Sequence, residues 1–172
     1  DDGIRSCPHF KPAFNIDLLL SYNFISHLGV YRREILKQIG GFRVGFEGSQ
    51  DHDLALRTVL ESSPDQIIHI PRVLYHWRAH SESTASNPDS KDYTTESGHK
   101  AVQHFLDEQH RRGGVKATAR IKARNRFTCQ WHTPEKSPSV ELIIPTRDQA
   151  EVLNLAVDSI ITKTTYTNYT IT

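Results

Sequence analysis

The chain has 172 residues, enough for one domain or one and a half, and its 21 basic and 20 acidic side chains leave a formal charge of +1. That balance gives no electrostatic basis for nucleic acid as the main partner. An apolar content of 37% and a mean hydropathy of -0.53 are typical of a soluble protein, and no apolar run reaches the roughly 20 residues of a membrane-spanning helix.

The first third of the chain predicts one strand and two helices. Residues 23–31 mix aliphatic and aromatic side chains and predict a buried strand. Residues 32–39 predict a short helix that stops at Gly40-Gly41, because glycine accepts the left-handed conformation of a helix end. From Asp51, a helix of about three turns is predicted by apolar residues at helical spacing, namely Leu54, Ala55, Val59 and Leu60.

The middle of the chain predicts a strand, a long helix and a hairpin. Residues 66–78 predict a strand that Pro71 interrupts. Asn87-Pro88 predicts the start of a helix, with proline in its first turn, and Gly113-Gly114 predicts its end. Residues 115–131 alternate apolar and polar side chains, which predicts a strand or hairpin with one polar face.

The last part of the chain predicts a different kind of structure. After a linker-like segment at residues 133–138, a short continuous apolar strand is predicted from Val140 to Ile144. A helix with apolar residues between Val152 and Ile161 follows, and then the start of another strand that contains the last residue, Thr172. This order is how a parallel α/β sheet begins.

Cysteine usage and the two chain ends give two further expectations. Cys7 and Cys129 match no metal or disulfide spacing, so we expect reduced thiols and a cytoplasmic location. The start at Asp1 and the stop inside a strand-like run suggest that the sequence is cut from a longer protein.

The stretch GSQDHDLALR, residues 48–57, is the first candidate site. Free N–H groups and the helix dipole at a helix start stabilise an ionised carboxylate such as that of Asp51, which in a cleft could act as a general base. Spacing alone favours helix capping, because Asp and Ser are preferred capping residues. Asp53 is expected to support the first helical turn.

The stretch YHWRAHSEST, residues 75–84, is the second candidate. His76 or His80 could bind a divalent metal together with carboxylates, and Arg78 could pair with phosphate oxygens. Trp77 could stack on a sugar ring. Spacing alone favours structural roles, since two histidines four residues apart without a third ligand are weak evidence for a metal site.

Taken together, these segments resemble a known family. The order GGF, GFEGSQDHDLALR, IPRVLYHWR and a following serine, within residues 8–85, resembles the C-terminal half of a bacterial family 2 glycosyltransferase domain of the GT-A fold. SVELIIPTRDQAEVLNLAVDSIITKTTYTNYTI resembles the first strand, helix and second-strand start of another such domain. The relatives implied are large multi-domain enzymes of O-antigen or other surface-polysaccharide synthesis.

The resemblance implies an α/β fold of Rossmann-like, GT-A type and a division into three parts. Residues 1–86 would be the C-terminal half of one transferase domain, and residues 87–136 a connector of a helix plus a strand or hairpin. Residues 137–172 would be the truncated start of a second transferase domain.

The resemblance also implies roles for single residues. Asp51 would be the catalytic base, because GSQDHD matches the family's acidic motif with Gln50 in place of its first acid. His76, or less readily His80, matches a position where some members add a metal ligand. Arg78 is expected to contact the cofactor, and four residues are expected on the acceptor side, namely Gly41, Gly48, Gln50 and Trp77.

One departure from the family limits the expected activity. The strand-end DxD motif that binds Mn²⁺ or Mg²⁺ on the donor diphosphate has no credible match upstream of Asp51. We therefore expect the metal in the full-length enzyme and not in this fragment, which would be an inactive piece of an inverting transferase. Its partners would be a nucleotide-sugar donor and a glycan acceptor, and its location the cytoplasm, including the inner face of the bacterial membrane.

Two alternatives to a transferase fragment remain. A non-catalytic carbohydrate-binding or scaffold module is favoured by Gln50 standing where the family has an acid. A nucleic-acid binder using the basic residues of 111–126 is disfavoured, because phosphate-driven binding needs a basic excess. Under the fragment hypothesis, uncovered sheet edges would favour dimerisation, domain swapping or partial disorder at residues 87–91 and in the tails.

Overall fold

The structure, a computed structural model, describes Arg5, residues 7–77 and residues 92–172. It is a mixed α/β protein whose chain divides into two compact units, Asp1–His132 and Thr133–Thr172. The first contains α1 (Ile16–Ser21), α2 (Arg33–Gln38), α3 (Gln50–Leu60), a 3-10 turn (Pro64–Gln66), α4 (Asp92–Arg111), β1 (Ala117–Ala123) and β2 (Arg126–Trp131). The second contains β3 (Val140–Leu142), α5 (Ala150–Lys163) and β4 (Tyr169–Ile171).

Local chemistry explains where the helices begin and end. Asn15 caps α1 by accepting a hydrogen bond from the Leu18 amide at 2.8 Å. Helix α2 ends as predicted, with Gly40 at φ 77° and the Gly41 amide donating to the Leu36 carbonyl at 2.9 Å. The prediction of a three-turn helix from Asp51 is confirmed by α3, which begins one residue earlier.

The hairpin prediction is also confirmed. Strands β1 and β2 pair antiparallel, with Ala119 opposite Cys129, and a register irregularity follows Ile121. One face of the hairpin is buried through Ala117, Ala119 and Phe127. This is the alternation that the sequence displays.

The core of the first unit joins α1, α3, α4 and the hairpin. Its buried apolar residues come from every one of these elements and from the loop after α1, and include Leu19, Leu20, Phe24, Leu56, Val102, Phe105, Leu106, Ala117 and Phe127. The segment expected as a connector, residues 87–136, therefore supplies much of this core through α4 and the hairpin. The start of α4 predicted at Asn87-Pro88 lies outside the described residues.

Two predicted strands are wrong. Residues 23–31 form a loop, and the Lys11 ammonium donates hydrogen bonds to the carbonyls of Ile25 and His27. Residues 67–77 of the predicted 66–78 strand are also non-regular, and Ile68 and Val73 are 79% and 67% exposed. A strand requires a hydrogen-bonded neighbour, and the described chain pairs no strand with either segment.

The second unit is the start of a parallel sheet, as predicted. Strand β3 pairs in parallel with β4, with Val140 opposite Tyr169 and Leu142 opposite Ile171. Helix α5 forms the connection between them. The β3 strand is shorter than predicted, although the Ile144 amide still donates to the Thr172 carbonyl at 2.8 Å. Across the described parts of both units, no helix is long and apolar enough to cross a bilayer.

Candidate active site

Asp51 lies in the first turn of α3, two positions after the N-cap residue Ser49. Its Oδ1 accepts a hydrogen bond from the His52 amide at 2.9 Å, so the carboxylate satisfies one of the free N–H groups of the helix start. Its Oδ2 accepts from the Asn23 side-chain amide at 2.9 Å. The carboxylate therefore has both a structural role and a fixed orientation.

The Asp51 side chain lines an open depression of about 320 Å³. Three parts of the first unit form its walls: the loop after α1, the start of α3, and the turn between β1 and β2. Tyr22 and Asn23 come from the loop, Gly48 from the start of α3, and Arg124 and Arg126 from the turn.

A hydrogen-bonded joint fixes the walls of this depression relative to one another. The Ser49 hydroxyl donates to the Thr94 carbonyl at 2.7 Å, which joins α3 to α4. The Thr94 and Thr95 hydroxyls both donate to the Asn125 Oδ1 at 3.1 Å, which joins α4 to the hairpin turn. Asn125 has a φ of 51°, the left-handed conformation that asparagine tolerates in tight turns.

Gly48 permits the close approach of α4 to this joint. Its φ is 79°, and a Cβ at this position would lie 2.5 Å from the Thr94 Cγ2 and 2.8 Å from the Tyr93 ring. Any side chain here would displace the start of α4 and with it the wall of the depression.

Asp53, two residues further along α3, has a different environment. It is 1% exposed and forms ion pairs with Arg43 and with Arg57, whose Nε lies 2.9 Å from the Asp53 Oδ2. Arg57 also donates to the carbonyls of Ile39 and Gly41 at 2.7 and 2.6 Å. Asp53 thus anchors the turn after α2 through its arginine partners, and the depression does not include it.

Two titratable side chains near Asp51, His52 and Tyr31, have shifted pKa values. Burial lowers the pKa of His52, whose Nε2 lies 2.7 Å from the Leu19 carbonyl and whose ring stacks on Phe127 at 6.1 Å. Burial, and then the charge of Asp51, raise the pKa of Tyr31. At neutral pH both side chains are therefore uncharged beside the carboxylate.

The structure brings together only some of the residues predicted for the site. Asp51 and Gly48 line the depression, whereas Gln50 is exposed beside it. Gly41 lies in the turn after α2, where its carbonyl accepts a hydrogen bond from Arg57. Trp77 is 62% exposed and contacts the His27 ring edge-on at 5.1 Å.

The residues predicted to contact a metal or cofactor are either exposed or outside the described part of the chain. His76 is exposed in the extended segment, and within the described residues no group of three or more His, Cys, Asp or Glu side chains could hold a metal ion. Arg78 and His80 lie outside the described residues. Both cysteines are free thiols, as expected.

The two arginines of the hairpin turn are the site residues that the sequence reasoning missed. Arg124 and Arg126 belong to the basic stretch 111–126, for which the sequence offers only the disfavoured nucleic-acid interpretation, and they lie more than 70 positions from Asp51. The sequence ARNRF at the centre of an alternating run was the available signal, because it predicts a turn with two cations at its ends.

Two curated relatives align with almost the whole chain. It is 40% identical over 170 residues to the uncharacterized protein y4gI of Sinorhizobium fredii, which covers 98% of this chain and 18% of that protein. It is 38% identical over 167 residues to the O-antigen biosynthesis protein RfbC of Myxococcus xanthus, covering 97% of this chain and 12% of that protein. The chain thus spans less than a fifth of the length of these relatives. No family model matches the chain, and no solved structure is detectably similar.

Proposed function

We propose that this chain is part of an inverting glycosyltransferase of GT-A type, similar to family 2, that acts in surface-polysaccharide synthesis. The observation that carries the proposal is the Asp51 carboxylate, which is fixed by Asn23 at the wall of an open depression. The name of the Myxococcus xanthus relative, an O-antigen biosynthesis protein, supports a role in surface-polysaccharide synthesis.

In the proposed reaction Asp51 is the general base. It accepts the proton of an acceptor hydroxyl as that oxygen attacks the anomeric carbon of the donor sugar. The new C–O bond forms as the bond to the diphosphate breaks, and the nucleoside diphosphate departs with the electron pair. Attack from the opposite side inverts the anomeric configuration.

The described residues do not form a site for the divalent metal that this class of enzyme uses on the donor diphosphate. His76 stays a predicted ligand, but no described carboxylates group with it. We therefore assign the Mn²⁺ or Mg²⁺ site and the donor site to the remainder of the full-length protein, and we expect this chain alone to be inactive.

The test is an Asp51→Asn substitution in the full-length protein, with nucleoside diphosphate release measured for a panel of nucleotide sugars. We expect a loss of about 100-fold or more, because general bases contribute on this scale. Asp17→Asn is the matched control, since Asp17 is an exposed carboxylate in the first turn of α1. Circular dichroism of each variant verifies folding.

Unchanged transfer by a folded Asp51→Asn variant would remove Asp51 from the mechanism. It would favour the alternative of a carbohydrate-binding module that has kept the transferase fold, an alternative supported by Gln50 in the motif. Turnover by the isolated chain would refute the division of the site between this segment and the rest of the protein.

A further inference from the structure

We propose that Arg124 and Arg126 form a subsite for an acidic acceptor glycan, one that carries a carboxylate or phosphate next to the sugar whose hydroxyl faces Asp51. This inference rests on the proposed function and adds the chemical class of the acceptor. Both arginines line the same depression as Asp51, on the wall that the hairpin turn contributes.

The hairpin turn holds the two arginines in defined positions. They flank Asn125, whose side-chain oxygen accepts from the Thr94 and Thr95 hydroxyls and whose amide donates to the Thr95 Oγ1 at 3.2 Å. A turn fixed on both its backbone and its side chain loses little entropy when a ligand binds, and this preorganisation favours affinity.

Arg126 is further oriented by Tyr22. The Arg126 guanidinium carbon lies 3.9 Å from the centre of the Tyr22 ring, which is a cation–π contact. A guanidinium held against the ring can still donate N–H groups in parallel to two oxygens of a carboxylate or phosphate.

The charge around the turn is positive and not neutralised. No acidic residue occurs between Glu108 and Glu135, a stretch that contains seven lysines and arginines. Neither Arg124 nor Arg126 forms an ion pair with any carboxylate in the described parts of the chain. Two cations against the single Asp51 carboxylate leave the depression with a net charge that favours an anion.

A neutral glycan could accept hydrogen bonds from the arginines but would leave their charge without a counter-ion. A nucleic acid is disfavoured by the formal charge of +1 over the whole chain. An acidic sugar uses both features of the depression. Its anionic group would bind at the turn, and a hydroxyl on the neighbouring ring would face Asp51. The arginines would thus select the acceptor, and Asp51 would act on it.

The experiment is a titration of the ¹⁵N-labelled chain, followed by amide NMR at low salt. The probes are trigalacturonate, its neutral counterpart galactotriose, galactose 6-phosphate and uridine diphosphate. We expect the two anionic sugars to shift the amides of Gly48, Asp51 and Asn125, and galactotriose to bind at least about tenfold more weakly, a difference of about 1.4 kcal/mol.

A pair of double variants separates a built subsite from general charge. Arg124→Gln with Arg126→Gln should weaken trigalacturonate binding about tenfold. Arg120→Gln with Lys122→Gln removes the same charge from the same hairpin, at exposed positions outside the depression, and should change binding less than about twofold. Equal losses in both double variants would overturn the proposal, as would equal binding of trigalacturonate and galactotriose.

Two further measurements test whether the turn binds the acceptor. Uridine diphosphate binding more tightly than both anionic sugars, and losing affinity in the Arg124→Gln, Arg126→Gln variant, would assign the turn to the donor and overturn the acceptor assignment. Asp51→Asn should leave trigalacturonate binding intact or slightly tighter. Failure of the proposed function would appear as undiminished transfer by Asp51→Asn in the full-length protein, independently of these binding results.

Discussion

Two carboxylates in the same turn of α3 have opposite environments, and the difference separates a structural carboxylate, Asp53, from the proposed catalytic one, Asp51. Asp53 is buried and held by Arg43 and Arg57, and Arg57 also donates to the carbonyls of the turn after α2. Asp51 is held by one side-chain amide and faces an open depression. A buried carboxylate whose oxygens are occupied by two arginines cannot touch a substrate, whereas one at the wall of an open depression can.

The largest expected effect comes from removing the buried charge. Asp53→Asn leaves Arg57, whose side chain is 8% exposed, without its counter-ion. We expect the free energy of unfolding to fall by about 4 kcal/mol, the range seen when one partner of a buried pair is removed. Chemical denaturation with urea measures this difference.

Asp51→Asn is the matched variant, with the same change of atoms two residues away. Because its side chain is half-buried and its partner is neutral, we expect a change in unfolding free energy of less than about 1 kcal/mol. Comparable losses in the two variants would contradict the distinction between the two sites.

An effect smaller than that of Asp53→Asn tests whether the wall of the depression is rigid. Gly48→Ala places a Cβ against Thr94 in a backbone conformation that L-residues rarely adopt, and should cost about 2–3 kcal/mol of unfolding free energy. Gly45→Ala is the control, because Gly45 has a φ of 90° but no atom within 4 Å of the added Cβ. It should cost about 1 kcal/mol, from backbone strain alone.

Thermal melts of the two glycine variants separate steric contact from backbone strain. Equal destabilisation would mean that α4 moves away from Gly48 without cost. In that case the joint through Ser49 and Thr94 would not fix the depression, and the site would not be preorganised.

The same contrast explains what the sequence could predict. The hairpin was predictable because it buries one regular face, through residues such as Ala119 and Phe127. Helix α3 was predictable from apolar residues at helical spacing, although it is buried at every position from His52 to Arg57. The start of α3 also marked Asp51 and Asp53 as candidates. Spacing could not tell which of them faces solvent, because that depends on Arg43 and Arg57 folding back onto one of the two.

Other features depended on contacts between distant parts of the chain. The apolar pattern around Pro71 is that of a strand, but residues 67–77 have no hydrogen-bonded strand beside them among the described residues. Arg124 and Arg126 approach Asp51 because Asn125 binds the first turn of α4. Neither outcome is encoded in local periodicity, which reports burial of a face and not the identity of its neighbour.

The smallest expected effect comes from His52, which lies between the two carboxylates in sequence and is buried against Leu19 and Phe127. Because burial lowers its pKa, the unfolded chain binds a proton near pH 6.5 that the folded chain does not. The free energy of unfolding should therefore be constant above pH 6.5 and fall as the pH drops below it. Asp51 and Asp53 favour the protonated ring and limit this loss. Urea denaturation between pH 7.5 and 5 measures the slope. His52→Gln should reduce it, leaving a contribution from His104, whose pKa burial and then Arg43 also lower, whereas His99→Gln, at a half-exposed position on α4, should leave it in place. A slope that is unchanged in His52→Gln would show that the acid sensitivity comes from another group.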